Sequence, residues 1–192
     1  MAINLSKGQK NRSDQKPTRA YPKITVGLGW DTNKYDGGKD FDLDVSVFLT
    51  NASGKVDKET NFIFFNNKQN ENASVVHTGD NRTGEGDGDD EQVQVDLLNV
   101  PADVDKIAFT ITIYEAESRS QNFGQVSRSY VRIVNDANSE ELIRFDLGED
   151  FSVETGVVVG ELYRNGAEWK FNAIGSGYKD GLSGLTRDYG LQ

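Results

Sequence analysis

The sequence contains no cysteine, and this absence excludes several kinds of chemistry. Disulfide cross-links, zinc sites built from thiolates and thiol catalysis all need that residue. Histidine occurs once, as His77, so a transition-metal site built from several imidazole ligands is excluded as well. Proline is scarce, with three copies, whereas twenty glycines among 192 residues predict a chain with many turns.

Positive charge is also in short supply, with 21 Lys and Arg against 31 Asp and Glu and a formal net charge of −10. Nucleic acids are bound through clustered Lys and Arg, so we expect no nucleic-acid partner. No stretch approaches the ~20 apolar residues of a membrane-spanning helix, and residues 1–10 lack the apolar run of a signal peptide. We therefore expect a cytoplasmic protein without a membrane span.

Short runs of alternating apolar and polar residues indicate the fold class. Runs of this kind, rich in Val, Ile, Phe and Thr, are typical of strands with one buried face. Turn sequences separate them, and no alternation of strands with helices is present. The strand-like runs lie at 24–28, 41–47, 61–65, 93–97, 107–113, 126–134, 142–145, 156–163 and 169–174.

These runs predict an all-β protein, an antiparallel β-sandwich with a short C-terminal helix. Asn165-Gly166 is a strong signal for a two-residue hairpin turn, and residues 182–189 are the predicted helix. We expect residues 1–192 to form a single domain in which residues 1–20 are a flexible or edge-strand arm, with Ile3 and Leu5 pairing as the strand.

Residues 79–91 are acidic and rich in glycine, with six acids and one base among thirteen positions. Such like charges repel one another, so the segment either stays extended in water or is neutralised by a cation. Calcium fits the second case because it takes about six to eight oxygen ligands, including carboxamides and carbonyls that glycines can turn inward. Magnesium demands a stricter octahedron, and transition metals prefer His or Cys.

A second acidic cluster lies upstream of the first. Asp40, Asp42 and Asp44 alternate with apolar residues, so on a strand their carboxylates share one face. Asp31 and Asp36 precede them. The cluster is either the solvent-facing side of a strand or a set of carboxylates that share a cation with the acidic loop.

Three further polar residues flank these clusters. Asn66 and Asn67 follow an apolar run and serve either as turn formers or as carboxamide ligands. His77 stands at a strand end beside the acidic loop, where a lone histidine is usually structural, so we do not expect a catalytic relay. Metal-assisted hydrolysis of a phosphate-containing substrate remains the enzymatic alternative, because bound calcium can orient a phosphate.

The sequence closely resembles the TerD family of tellurite-resistance and general stress proteins, nearly end to end. The resemblance implies a β-sandwich with two neighbouring calcium ions, loosely like calcium-binding C2 domains. It also implies a stress role in resistance to tellurite, phage and pore-forming colicins, with a membrane-embedded partner of the TerC type at the inner face of the membrane. The matching segments are residues 4–8, 27–31, 40–44, 61–67, 77–91, 112–116, 121–124 and 160–164.

The resemblance also implies a set of metal ligands, whereas Asp36 falls in a stretch that varies in the family. The function it implies is that of a calcium-dependent interaction module rather than an enzyme. A passive calcium buffer is a further alternative, and the lack of cysteine excludes direct detoxification of tellurite by thiols. The implied metal-binding residues are Asp31, Asp42, Leu43, Asp44, Asn67, Gly79, Asp80, Asn81, Asp87, Asp89, Asp90 and Glu91, with Leu43 and Gly79 contributing backbone carbonyls.

Overall fold

A computed structural model describes the backbone of Ile3–Leu5 and residues 22–34, 38–147 and 151–192. Within these ranges the chain folds into two β-sheets that share one apolar core. The predicted β-sandwich with a short C-terminal helix is confirmed.

The first sheet contains six strands among the described residues, in the order β1-β9-β8-β2-β6-β5. Its edge strand β1 runs parallel to β9, with Ile3 opposite Ile143, and the other pairs are antiparallel. The strands are β1 (Ile3–Leu5), β2 (Lys23–Gly29), β5 (Val75–His77), β6 (Glu91–Asp96), β8 (Tyr130–Asn135) and β9 (Glu140–Asp146).

The second sheet is antiparallel throughout, in the order β11-β10-β7-β3-β4. The predicted hairpin is confirmed, but its two turn residues are Gly166 and Ala167 rather than Asn165 and Gly166, because Asn165 pairs with Glu168. Gly166 adopts a positive φ of +67°, as such a turn requires. The strands are β3 (Leu43–Thr50), β4 (Phe62–Ile63), β7 (Lys106–Ile113), β10 (Gly156–Asn165) and β11 (Glu168–Tyr178).

Short helical segments lie at the ends and on the outer face of the second sheet. Helix α1 (Ala116–Arg119) follows β7, and helix α2 (Gly181–Asp188) covers the sheet through the buried Leu185. Beside α2, the ring of Phe48 stacks between Phe62 at 4.6 Å and Tyr189 at 4.3 Å. Among the described residues, 3-10 turns lie at Glu59–Asn61 and Phe123–Gln125.

Strand β3 is buried on both faces. This burial contradicts the interpretation of the second acidic cluster as the solvent-facing side of a strand. Leu43 and Val45 pack into the core between the sheets. Asp42 and Asp44 are only 7% and 4% exposed, so they do not form the solvent-facing side of a strand. Asp40 lies before β3 and is exposed, so the strand that the alternation predicted from residue 41 begins only at Leu43.

Candidate metal centre

Three carboxylates from two separate segments meet at one end of the sandwich. Asp42 immediately precedes β3, Asp44 is its second residue, and Asp80 comes from the acidic loop after β5. One carboxylate oxygen from each lies within 4.8 Å of the others. The backbone fixes this arrangement, because the N–H of Tyr114 donates to the carbonyl of Asp42 at 2.8 Å. We refer to Asp42, Asp44 and Asp80 as the carboxylate triad.

The triad is electrostatically unfavourable when all three members are ionised. Burial raises the pKa of Asp44 to about 8, and the charges of Glu91, Asp42 and Asp80 contribute to the same shift. Burial also raises the pKa of Asp42, although the neighbouring Arg119 opposes this effect. A charge removed from water in this way must be neutralised by a proton or by a cation.

Glu91, the first residue of β6, lies behind the triad and is fully buried in its side chain. Its Oε2 accepts a hydrogen bond from the N–H of Val45 at 2.8 Å, whereas its Oε1 has no hydrogen-bond partner among the described residues. His77 Nε2 lies 3.4 Å from Oε2 but outside hydrogen-bond geometry. Burial raises the pKa of Glu91 against the opposing effects of His77 and the Val45 N–H.

The triad opens into a cleft of about 440 Å³, which we call the first cleft. Arg82 extends across it with Nε 3.2 Å from Asp80 Oδ2, and its side chain is 74% exposed. Arg119 approaches from α1 with Nη1 3.8 Å from Asp42 Oδ2. The cleft is lined by Gly38, Lys39, Asp40, Asp42, Asp44, Phe65, Asp80, Arg82, Thr83, Tyr114 and Arg119.

A second cleft, of about 690 Å³, is lined by Asp31, Asp87 and Asp90 together with basic and aromatic residues. Arg128 Nε lies 3.0 Å and 2.9 Å from the two carboxylate oxygens of Asp31, and this contact lowers the pKa of Asp31. Burial instead raises the pKa of Asp90, so the two acids that lie nearest to Trp30 experience opposite environments.

Asn81 shapes the acidic loop between the two clefts. Its Oδ1 accepts hydrogen bonds from the N–H groups of Thr83 and Gly84, each at 3.1 Å, and its Nδ2 donates to Asp90 Oδ1 at 2.9 Å. Gly84 has a φ of +71°, and a β-carbon there would lie 2.6 Å from Nε1 of Trp30. A glycine is therefore required at this turn, as the glycine-rich sequence predicted.

The structure places Asp89 away from both groups of acids. Arg132 donates to its two oxygens, from Nε at 2.8 Å and from Nη2 at 3.1 Å, and the hydroxyl of Tyr130 donates to Oδ1 at 3.0 Å. A β-carbon at Gly27 would collide with this carboxylate, so the glycine in β2 makes room for the ion pair. These contacts give Asp89 a structural role in the sheet.

The remaining sequence-predicted residues lie outside the triad. Asn67 donates from Nδ2 to the carbonyl of Phe62 at 2.6 Å within a tight turn. Gly79 directly precedes Asp80 in the loop, and Leu43 begins β3 between the two buried aspartates. Asp36 lies outside the described residues.

A substitution separates the structural role of Asp89 from a ligand role. Replacing Asp89 with Asn should lower the free energy of unfolding by about 2–3 kcal/mol, because Arg132 loses the more buried of its two carboxylate partners and keeps only Glu141. Calcium affinity should stay within about twofold of the wild-type value. Chemical denaturation and calorimetry measure the two quantities, with Asp103→Asn, at a side chain that is 59% exposed, as the control. Loss of calcium binding with normal stability would instead make Asp89 a ligand.

The two arginines of the first cleft were not predicted from the sequence as site residues. Arg82 is the one basic residue among the thirteen residues of the acidic loop, and the sequence alone could have marked it as unusual for that reason. Arg119 had no such signal, because it lies far along the chain and reaches the cleft only through the fold.

Comparison with known proteins identifies close relatives over the whole chain. A family model described as TerD domain matches residues 1–189. General stress protein 16U of Bacillus subtilis (strain 168) is 61% identical, and the match covers 100% of this chain and 99% of that protein. Tellurium resistance protein TerD of Serratia marcescens is 51% identical over 100% of this chain and 98% of its own length.

A solved structure shares the fold. The crystal structure of a homologue of telluride resistance protein (TerD) from Streptomyces coelicolor A3(2) matches with a TM-score of 0.73 at 20% identity, covering 86% of this chain and 95% of the other. In the described part of this chain, none of the helices has the length and apolarity needed to cross a membrane.

Proposed function

Because the chain belongs to the TerD family of tellurium-resistance and stress-response proteins, we propose that it is a calcium-dependent interaction module. The stress-response role follows from the family. The role of calcium is our proposal, and it rests on the carboxylate triad, whose oxygens lie within 4.8 Å of one another.

The donor set fits calcium better than other metals. Calcium accepts carboxylate, carboxamide and carbonyl oxygens in variable geometry, and the residues around the triad supply oxygen rather than sulfur. Asp42, Asp44 and Asp80 would hold one ion, with the unpartnered Oε1 of Glu91 behind them. A bound calcium would supply positive charge that neutralises the buried carboxylates.

The second cleft offers a second set of oxygen donors, in line with the two ions that the resemblance implies. Asp87 and Asp90 face it from the acidic loop, and Asp31 faces it from the end of β2. Arg128 pairs with Asp31, so an ion bound to Asp31 would have to compete with this guanidinium. We therefore propose that the second cleft binds calcium more weakly than the triad.

A binding role is favoured over catalysis by the position of the sole histidine. His77 is 2% exposed and contacts Glu91, and it does not line the first cleft. A general base must reach the reacting group directly or through one water molecule. We therefore propose that His77 is not a general base for a ligand in this cleft and that the cleft serves for binding.

Calcium would convert the acidic end of the sandwich into a less charged and more ordered surface. We propose that this surface contacts a membrane-embedded partner of the TerC type at the cytoplasmic face of the membrane. A passive calcium buffer would bind the ion without any such change in partners.

The proposal is tested by thermal unfolding and by recovery of bound proteins. Calcium at about 100 times its dissociation constant should stabilise the fold by about 2.7 kcal/mol, which raises the melting temperature by about 5–10 °C. Magnesium at the same concentration should have a smaller effect. The protein should also recover a TerC-type protein from detergent-solubilised membranes in calcium but not in chelator.

Each alternative outcome has a definite meaning. An unchanged melting curve at millimolar calcium would contradict the calcium role. A normal rise in melting temperature, combined with the same recovered proteins in calcium and in chelator, would indicate a buffer or a structural ion instead.

A further inference from the structure

We propose that the first cleft, once calcium is bound, takes up the phosphate group of a small phosphorylated molecule through Arg82 and Arg119. This inference rests on the proposed calcium role and goes beyond it by naming the ligand class and the side chains that recognise it. The supporting observations are the charges that line the cleft, the two guanidinium groups and an aromatic wall.

The cleft is close to electrical balance, unlike the acidic loop taken alone. Four carboxylates line it, and Lys39, Arg82 and Arg119 oppose them, so the net charge is −1 when all these groups are ionised. One divalent cation reverses this value to +1. The cleft thus becomes attractive to an anion only after the triad has been neutralised.

Each guanidinium contacts a different member of the triad. Arg82 makes a single contact with Asp80, and its own side chain is 74% exposed whereas that of Asp80 is 21% exposed. A single contact to a largely solvated guanidinium is easily exchanged for another. Arg119 is held in place by donation from Nη1 to the carbonyl of Asp40 at 3.3 Å. Its Nε lies 3.6 Å from Oε2 of Glu115, an ion pair without a hydrogen bond among the described residues. Neither arginine satisfies its full set of donors in the protein itself.

Calcium and the two arginines are therefore coupled through shared carboxylates. When Asp42 and Asp80 serve the ion, their oxygens are less available to the guanidinium groups. Arg82 and Arg119 then present unsatisfied donors beside a divalent cation. A phosphate group is well suited to this environment, because its oxygens can contact the ion and accept charge-assisted hydrogen bonds from arginine at the same time.

The aromatic residues that line the cleft suit the rest of a small organic molecule. The rings of Phe65 and Tyr114 meet edge to face at 6.0 Å, and Tyr114 is 39% exposed. Arg119 lies over the Tyr114 ring at 5.2 Å, so the cationic and aromatic parts of the site are continuous. A volume of about 440 Å³ falls within the range of small-molecule sites, about 300–1,000 Å³.

The test is calorimetric titration with phenyl phosphate, a soluble monoester with one aromatic ring, in calcium or in chelator. We expect saturable binding in calcium and binding at least about tenfold weaker in chelator. Arg82→Ala should weaken binding in calcium about tenfold or more, and Arg119→Lys should weaken it as well. The matched control is Arg187→Ala, because Arg187 also pairs with an exposed aspartate, Asp180 at 2.7 Å, but on helix α2.

Melting curves with calcium, recorded on the same samples, separate this inference from the calcium role. If calcium stabilises every variant but phenyl phosphate binds equally in calcium and in chelator, or equally to wild type and Arg82→Ala, the phosphate site is wrong and the calcium role stands. If calcium fails to stabilise the wild type, both proposals fail together.

A second arm identifies the source of the phosphate. Phosphatidylcholine vesicles with and without phosphatidylserine are compared with inorganic phosphate and phenyl phosphate. We expect the soluble monoester to compete for the cleft, because the pocket encloses a small group. Calcium-dependent and Arg82-dependent binding to phosphatidylserine vesicles alone would overturn the small-molecule assignment and identify a lipid headgroup instead.

Discussion

Replacing Asp44 with Asn should stabilise the calcium-free protein at pH 8 and, at the same time, weaken calcium binding by about 100-fold or more. Both effects have one cause. Asp44 is 4% exposed and lies among three other carboxylates, so its negative charge opposes folding when no cation is present. Asparagine keeps the shape of the side chain and removes the charge, and it therefore removes both the repulsion and the principal ligand.

The measurement combines denaturant unfolding in chelator with calorimetric titration by calcium. Asp103→Asn is again the control, because this exposed aspartate lies outside both clefts, and neither quantity should change. A less stable calcium-free protein would show that the Asp44 carboxylate makes favourable contacts of its own. Calcium affinity equal to that of the wild type would remove Asp44 from the site.

Calcium affinity should rise about tenfold per pH unit between about pH 5 and pH 8, and each ion bound at the triad should release about one proton at pH 7. The pKa of Asp44 is raised to about 8, so at neutral pH its carboxyl group is mostly protonated in the absence of calcium. Calcium binds only the ionised form, and so it must displace this proton.

The stability of the calcium-free protein should have the opposite dependence on pH. The pKa of Asp44 is higher in the folded state, at about 8, than its ordinary value of 3.8. Its protonated form therefore favours folding at low pH, and this contribution is lost as the pH rises from about 4 to about 8. In saturating calcium that loss should be absent.

Calorimetry in buffers of different ionisation enthalpy measures the released proton directly. Asp44→Asn serves as the matched variant, and its residual calcium binding should lose the proton release. If calcium affinity is independent of pH between pH 5 and pH 8 and no proton is released, then calcium does not displace a proton from Asp44, and this account of the site is contradicted.

The fold could be predicted from the sequence because the patterns that indicate strands and turns are local. Period-two alternation in strands such as 107–113, together with the hairpin signal at Asn165-Gly166, depends only on neighbouring residues, and the structure confirms the strand and the hairpin. The single buried face that the alternation predicted for 107–113 is wrong, because Thr110 and Thr112 are buried as well. The same alternation is ambiguous for Asp42 and Asp44. It establishes that they share a face, but burial depends on the loop that covers that face, and this is a tertiary feature.

In the acidic loop, composition does not predict which of the acids line a cleft. Asp87, Asp89 and Asp90 are nearly adjacent in the sequence, yet Asp89 faces Arg132 while the other two line the second cleft. The choice depends on Arg132, which is 43 residues away and is positioned by the pairing of β8 with β2. The position of Arg119 in the first cleft likewise depends on the tertiary fold, because Arg119 is distant in sequence from the acids that it meets there.

The most direct test of the calcium site is a residue-resolved NMR titration of chelator-treated protein with calcium. We expect saturable shifts of the amide resonances of residues 42–44 and 79–91, with strands remote from the triad, such as β10, unchanged. Magnesium at equal concentration should produce smaller shifts. A folded protein whose resonances at 42–44 and 80 do not respond to millimolar calcium would contradict the proposed site.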